Sequence, residues 1–254
     1  MRKYAIVLGL VLLATSAVWA AAYSDTEQVS QTIKLEPGGT LRLHSFSGRV
    51  SITASDQPEV VINAVRHGTR WQLDHSRLDI HTNGANVVVV EATRRERAWY
   101  EFIGSGDALE TEFDVRVPRK TNLDLSVFSA LVNVEGVEGD HQVHGFSSRL
   151  SLTDTAGSIR AHTFSGAVVI GEKSWASDRN IQVDTFSGNV ELQVPASATG
   201  TVSFNTFSGR LDSEVPLVLH SSTRRAVRAE LGGGGNGSLQ FKTFSGSVKI
   251  NHQP

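Results

Sequence analysis

The chain has 254 residues, 39% hydrophobic and 20% charged, which is enough to bury a core in one or two domains and too apolar for disorder as the default. It contains no cysteine, which excludes disulfide staples, thiolate chemistry, cysteine-based zinc sites and a lipid-bearing cysteine anchor. A formal net charge of −2 gives no global attraction to nucleic acid or anionic lipid, so no nucleic-acid partner is expected.

Arg2 and Lys3 precede an apolar run from Ala5 to Ala14 and a small-residue cluster around Val18-Trp19-Ala20-Ala21-Ala22. This order predicts a signal peptide over residues 1–22 whose apolar part is too short to span a bilayer. The mature protein is expected to lack a transmembrane segment and to be exported to the periplasm, the cell surface or the medium. Removing that segment takes two basic residues and no acids, leaving 22 basic against 26 acidic. Residues 23–254 are then expected to form a single β-repeat domain.

The first copy of a recurring triplet is Phe46-Ser47-Gly48. A less regular β region follows at about 53–122, with strand-like runs at Val60 to Ile62, Leu78 to His81, Val87 to Val90 and Phe113 to Val117 but no clear copy of the triplet. It reads as degenerate coils or a β insertion. At most a turn or two of helix is expected, at Glu96 to Phe102 or Thr223 to Leu231. Trp99, Tyr100 and Phe102 beside Arg94, Arg95 and Arg97 form a possible sugar-stacking patch, with packing onto the repeats as the plainer use.

From residue 128 the triplet returns as Phe128-Ser129-Ala130, Phe146-Ser147-Ser148, Phe164-Ser165-Gly166, Phe186-Ser187-Gly188, Phe207-Ser208-Gly209 and Phe244-Ser245-Gly246. Four of the five spacings fall at about 18–22 residues, a period suited to one supersecondary unit per repeat. Residues alternate at period two on both sides of the corner, as in Ile181, Val183 and Thr185, then Val190, Leu192 and Val194, which is strand, bend, strand. Identical corners at a fixed period predict an all-β, right-handed parallel β-helix-like solenoid in which each repeat pairs with its copy in the next coil. An antiparallel β-sandwich of short repeats is the alternative. The corner glycine is expected to supply a positive φ. The run Gly232-Gly233-Gly234-Gly235-Asn236-Gly237-Ser238 lacks the Lys-Ser/Thr ending of a phosphate loop and reads as a linker into the last coil.

Parity assigns the side chains. If Ile181, Val183 and Thr185 face inward, Gln182, Asp184 and Phe186 face outward. Stacking then lines up Phe128, Phe146, Phe164, Phe186, Phe207 and Phe244 as an aromatic ladder, either self-stacked and covered or an interaction surface. Two residues before each Phe stand His44, Ser126, His144, His162, Asp184, Asn205 and Lys242. His144, His162 and Asp184 are the only constellation with the geometry of zinc ligands, and an exposed polar column explains them as well. Seven equivalent serines argue for a periodic structural task and against a nucleophile. The acids Asp114, Asp124, Asp140, Asp154, Asp178 and Asp212 fall at different phases of the repeat, so spacing predicts no carboxylate pair and no cofactor.

The segment Phe113-Asp114-Val115-Arg116-Val117-Pro118-Arg119-Lys120-Thr121-Asn122-Leu123-Asp124-Leu125, the repeats, and the closing stretch from Gly237 to Ile250 resemble an uncharacterised bacterial family of adhesin-like β-strand-repeat proteins related to autotransporter adhesin heads. The resemblance spans most of residues 33–250 and rests on short motifs. It implies an exported, repeat-built β domain and carries no catalytic residues to transfer. This chain departs from the pattern in its regular Phe before Ser-Gly, and in Ala130 and Ser148, where the corner glycine is lost. The expectation is therefore a non-catalytic envelope or surface module binding a protein or glycan partner, a second copy of itself included. A carbohydrate-active β-helix enzyme, or a structural protein pairing through the Phe ladder, are the alternatives.

Overall fold

The structure, a computed structural model, describes residues 25–93 and 109–253. The predicted signal segment lies outside these residues, as do Arg94, Arg95, Arg97, Trp99, Tyr100 and Phe102. Strands form wherever polar and apolar residues alternate, because successive side chains of a strand face opposite sides. The chain opens with β1 (Asp25–Lys34), β2 (Thr40–Ser55) and β3 (Glu59–Gly68), then a short helix α1 (Arg70–His75). Next come β4 (Ser76–Asn83), β5 (Asn86–Thr93), β6 (Glu110–Pro118), β7 (Asn122–Glu135), β8 (His141–Ser147), β9 (Arg149–Thr153), β10 (Ser158–Gly171) and β11 (Asn180–Val194). The last strands are β12 (Gly200–Thr206), β13 (Leu211–Ser213), β14 (Leu217–Ser222), β15 (Ala226–Leu231), β16 (Ser238–Thr243) and β17 (Val248–His252).

The described residues are all-β apart from α1, whose start is fixed by a capping box: Gln72 N donates to Thr69 Oγ1 at 3.3 Å while Thr69 N donates to Gln72 Oε1 at 2.7 Å. Strands β2, β7, β10 and β11 each bend at a triplet and so belong to two limbs of the sheet. In the first limb the order is β4, β5, β2, β7, β8, β10, β11, β16, β12, β15, β14. In the second it is β1, β3, β6, β2, β7, β9, β10, β11, β17, β13. From β5 and β6 through β12 and β13 every pairing is parallel, and antiparallel strands occur only outside that span, at both ends.

Registers place like on like. Leu123 pairs with His141, His141 with Ile159, Ile159 with Ile181, Ile181 with Leu239 and Leu239 with Val202. In the second limb Val132, Leu150, Val168, Val190 and Val248 form the matching column. The inward columns of both limbs merge in one buried cluster. Hydrophobic burial thus runs the length of the stack, at about 1.5–3 kcal/mol per fully buried Val, Leu or Ile.

Three expectations are corrected. The repeats do not stack in sequence order: the Phe244 repeat, β16 and β17, lies between those of Phe186 and Phe207. The chain runs past this position to make β12 and β13, reverses through the antiparallel pair β14 and β15, and returns to fill the gap. Likewise β2 lies between β5 and β6 on one side and β7 on the other, so the region 53–122 contributes one parallel rung plus antiparallel strands. Thr223 to Leu231, a candidate helical turn, contains β15 instead, because pairing with both β12 and β14 satisfies its backbone.

The third correction concerns the corner. Gly48 and Gly166 do take positive φ, +113° and +136°, but Gly188, Gly209 and Gly246 do not. Those three are needed because the neighbouring rung occupies the place of a side chain. A Cβ on Gly188 would lie 2.1 Å from the Gly166 oxygen, one on Gly246 1.8 Å from the Gly188 oxygen, and one on Gly209 1.9 Å from the Gly246 oxygen. The preceding threonine faces inward and ties the bend: Gly209 N donates to Thr206 Oγ1 at 2.7 Å, and Thr243 Oγ1 donates to Gly246 O at 2.9 Å. Where the glycine is lost, Ser148 is buried and its hydroxyl accepts from Ala130 N at 3.2 Å and donates to Phe128 O at 3.3 Å, so a side chain holds the bend between rungs. The glycine run before β16 forms a turn in which Gly232, Gly233, Gly234 and Gly235 all have positive φ.

Candidate functional site: an aromatic ladder

Along the bent corner the phenylalanines form one column. Ring centroids are 4.9 Å apart for Phe128 and Phe146, 5.0 Å for Phe146 and Phe164, 4.9 Å for Phe164 and Phe186, 4.7 Å for Phe186 and Phe244, and 4.8 Å for Phe244 and Phe207. The planes tilt from one another by only 2–4°. This pitch is the spacing of hydrogen-bonded strands, so the backbone sets the stack. Phe46 continues the column in register with Phe128. At the far end the Arg225 guanidinium lies over the Phe207 ring, 4.6 Å from its centroid, a cation on the negative face of the last ring.

All seven rings remain 45–54% exposed. The outward parity that exposes Phe186 also buries Thr185 and Val183, so the fold that makes the core makes the ladder. The rings cover one another's faces and present their edges to solvent.

The column beside the ladder is polar. In spatial order it reads His44, Ser126, His144, His162, Asp184, Lys242, Asn205. The structure brings His144 and His162 together, with ring centroids 6.1 Å apart, and sets Asp184 on the rung after them. Asp184 Oδ2 accepts from Gln182 Nε2 at 3.0 Å along its own strand. Among the described residues no three His, Cys, Asp or Glu side chains converge in a way that could hold a metal ion.

Grooves flank the ladder at its Phe46 end. One of about 1040 Å³ lies on the second-limb side, lined by Arg49, Glu91, Glu110, Glu112, Leu131 and Arg149 among others. The other, of about 740 Å³, runs between the rings and the histidine column. Of the acids in the first groove, Glu91 is buried and fully engaged. It accepts from Thr111 Oγ1 at 2.6 Å, Ser45 Oγ at 3.1 Å and Phe46 N at 3.1 Å, and so anchors the first rung. Nothing in the repeat pattern marks Glu91; the one sequence signal is an acid ending the apolar run Val87 to Val90.

A second polar cluster, also unmarked by the repeat, is buried at the loops away from the ladder. Arg179 pairs with Glu172 and donates to Gly157 O, Thr155 O at 3.2 Å and Thr155 Oγ1 at 3.1 Å. Burial pushes the Glu172 carboxyl up to about 7 against the pull of Arg179. His141 sits in the apolar column between Leu123 and Ile159, its Nε2–H donating to Val137 O at 3.1 Å, and burial pulls its pKa down to about 4. Both groups are enclosed by the core and serve packing.

No protein-family model and no curated protein matches the sequence. Among solved structures the chain is similar to a "putative cell adhesion protein" from Clostridium sporogenes, at 11% identity and a TM-score of 0.48, covering 89% of this chain and 100% of that one. It is also similar to "putative adhesins" from Bacteroides fragilis and Parabacteroides distasonis. The first has 10% identity, a TM-score of 0.36 and coverage of 88% and 97%; the second has 9% identity, a TM-score of 0.32 and the same coverage.

Proposed function

We propose that the chain is a non-catalytic, exported envelope or surface protein of adhesin-like type, built as a right-handed parallel β-helix-like solenoid whose contact surface is the phenylalanine ladder. The equal registers of the parallel pairings support the solenoid. One observation carries the function: an unbroken stripe of half-exposed aromatic rings. At the 150–250 Å² that an aromatic side chain can bury, seven rings about half exposed leave roughly 700 Å² of apolar edge, above the 300–600 Å² typical of the largest patch on a soluble monomer. Ring stacking alone, worth about 0.5–1.5 kcal/mol per pair, explains the column but not its being left uncovered.

The arrangement favours an apolar partner over a glycan, because sugars stack on ring faces and those faces are taken by neighbouring rings. Beads carrying the mature protein, and beads carrying the Phe164→Ser/Phe186→Ser variant, should be compared for adhesion to protein-coated, polysaccharide-coated and phosphatidylcholine-coated surfaces and to one another. Adhesion that the variant loses supports the reading, and equal adhesion of both proteins overturns it. Release of new reducing ends from the polysaccharides would replace it with the carbohydrate-active enzyme, for which the exposed Glu110 and Glu112 in one groove are the structural motive.

A further inference from the structure

We infer that the partner of the ladder is a second copy of this chain, docked ladder to ladder in antiparallel fashion about a two-fold axis at Phe164; this rests on the contact-surface reading above. Three features select a second copy. The first is pitch: a rigid column with steps of 4.7–5.0 Å is matched along its whole length only by a surface with the same repeat. The second is area: roughly 700 Å² of ring edge, with the exposed Leu131 beside it, approaches the ~800 Å² per partner of a standard stable interface. The third is the match of hydrogen-bonding side chains along the histidine flank.

The ladder order is Phe46, Phe128, Phe146, Phe164, Phe186, Phe244, Phe207, so full antiparallel overlap puts Phe164 on the axis, opposite itself. The histidine flank then faces its own reverse. His144 meets Asp184 of the other copy twice, Lys242 meets Ser126, His44 meets Asn205 and His162 meets His162. On the other flank Arg149 meets Asn189 and Leu131 meets Ser247, and Arg49 meets Arg210 twice, at the two ends of the overlap, as the like-charged contact. A parallel overlap instead sets the histidine flank against the arginine flank, His44 on Arg49 and His144 on Arg149. The His144–Asp184 couple, a hydrogen-bond donor facing a carboxylate and made twice about the axis, therefore selects the antiparallel arrangement, and the closed two-fold symmetry ends assembly at a dimer.

The absence of cysteine makes the geometry directly testable. Light scattering of the mature chain over a range of concentrations should give a dimer, and Phe164→Ser/Phe186→Ser should weaken it at least about 100-fold with the β signal in circular dichroism retained. His144→Asp, which leaves every ring in place, should weaken it about ten-fold, and Asp184→His in the same chain should restore it. With a short bis-maleimide, His162→Cys should cross-link to itself. Asn205→Cys should cross-link to His44→Cys and not to itself.

A monomer at every concentration overturns the inference, as does a dimer indifferent to the ring variant or an Asn205→Cys homodimer. If the monomer nonetheless adheres to one of the coated surfaces and the ring variant does not, the ladder is a contact surface for another partner and only the self-pairing falls. Co-flotation of a monomer with phosphatidylcholine vesicles would identify that partner as a lipid surface.

Discussion

Each rung depends on a few positions where one atom more or less matters. Gly188 is the sharpest, since its missing Cβ is where the Gly166 carbonyl oxygen lies. Gly188→Ala should cost about 2–3 kcal/mol in urea unfolding through forced separation of two rungs, whereas the same change at Gly38, with nothing within 4 Å, should cost about 1 kcal/mol through its positive φ alone. His141 gives a second test. Its ring is neutral in the core and its folded pKa of about 4 lies below the ordinary 6.5, so the unfolded chain takes up a proton first. Stability is therefore complete above pH 6.5 and falls as pH drops toward 4, by up to about 3 kcal/mol. Glu172 works in the opposite sense, holding its proton in the fold up to about 7, so its contribution declines as pH rises from 4.5 to 7. Comparing His141→Leu with the parent across pH 4–7 separates the two, and an unchanged acid limb in the variant would show that His141 is not its source. Leu at this position matches Leu123 and Ile159 in the column.

At the scale of elements, the bent strand with its Thr-Phe-Ser-Gly corner was legible: period-two parity assigned Thr163 and Thr185 inward and Phe164 and Phe186 outward, and burial follows that assignment. The order of the rungs was not legible, for a physical reason. Copies of one motif present the same hydrogen-bonding edge and the same column positions, so Phe186 can seat Phe207 or Phe244 with equal local fit. The order seen goes with the antiparallel return of the chain through β14 and β15, the latter paired with β12. The end strands were opaque too. β1, Asp-Thr-Glu-Gln-Val-Ser-Gln-Thr-Ile-Lys, is mostly exposed and is held by backbone pairing with β3, which leaves little hydrophobic alternation to read. Arg179, between β10 and β11, gave no motif, yet it carries a buried charge and three carbonyl or hydroxyl partners. Arg179→Ala should cost about 3–5 kcal/mol, read from the urea midpoint, because the buried Gly157 O, Thr155 O and Thr155 Oγ1 lose their donor together with Glu172. Arg225→Ala, by contrast, should cost only about 0.5–1 kcal/mol, the worth of an exposed cation over an aromatic face.

For the whole molecule, the inserted rung changes what a truncation removes. In a stack built in sequence order, deleting residues 238–254 would take off an end coil and leave the rest standing. Here it removes β16 and β17 from between β11 and β12, so β12, β13, β14 and β15 lose their attachment to the parallel stack. Such a truncation should abolish the ordered signal of residues 200–231 in hydrogen exchange while residues 122–194 stay protected. Protection of both regions would argue against the insertion. The same topology sets the timing of assembly. A chain that emerges from its amino end cannot fix β12 through β15 against the stack until residues 238–252 arrive to fill the gap. That segment is a keystone, and until it seats, the free edges of β11 and β12 are the place where a half-made molecule would accept a strand from the wrong neighbour.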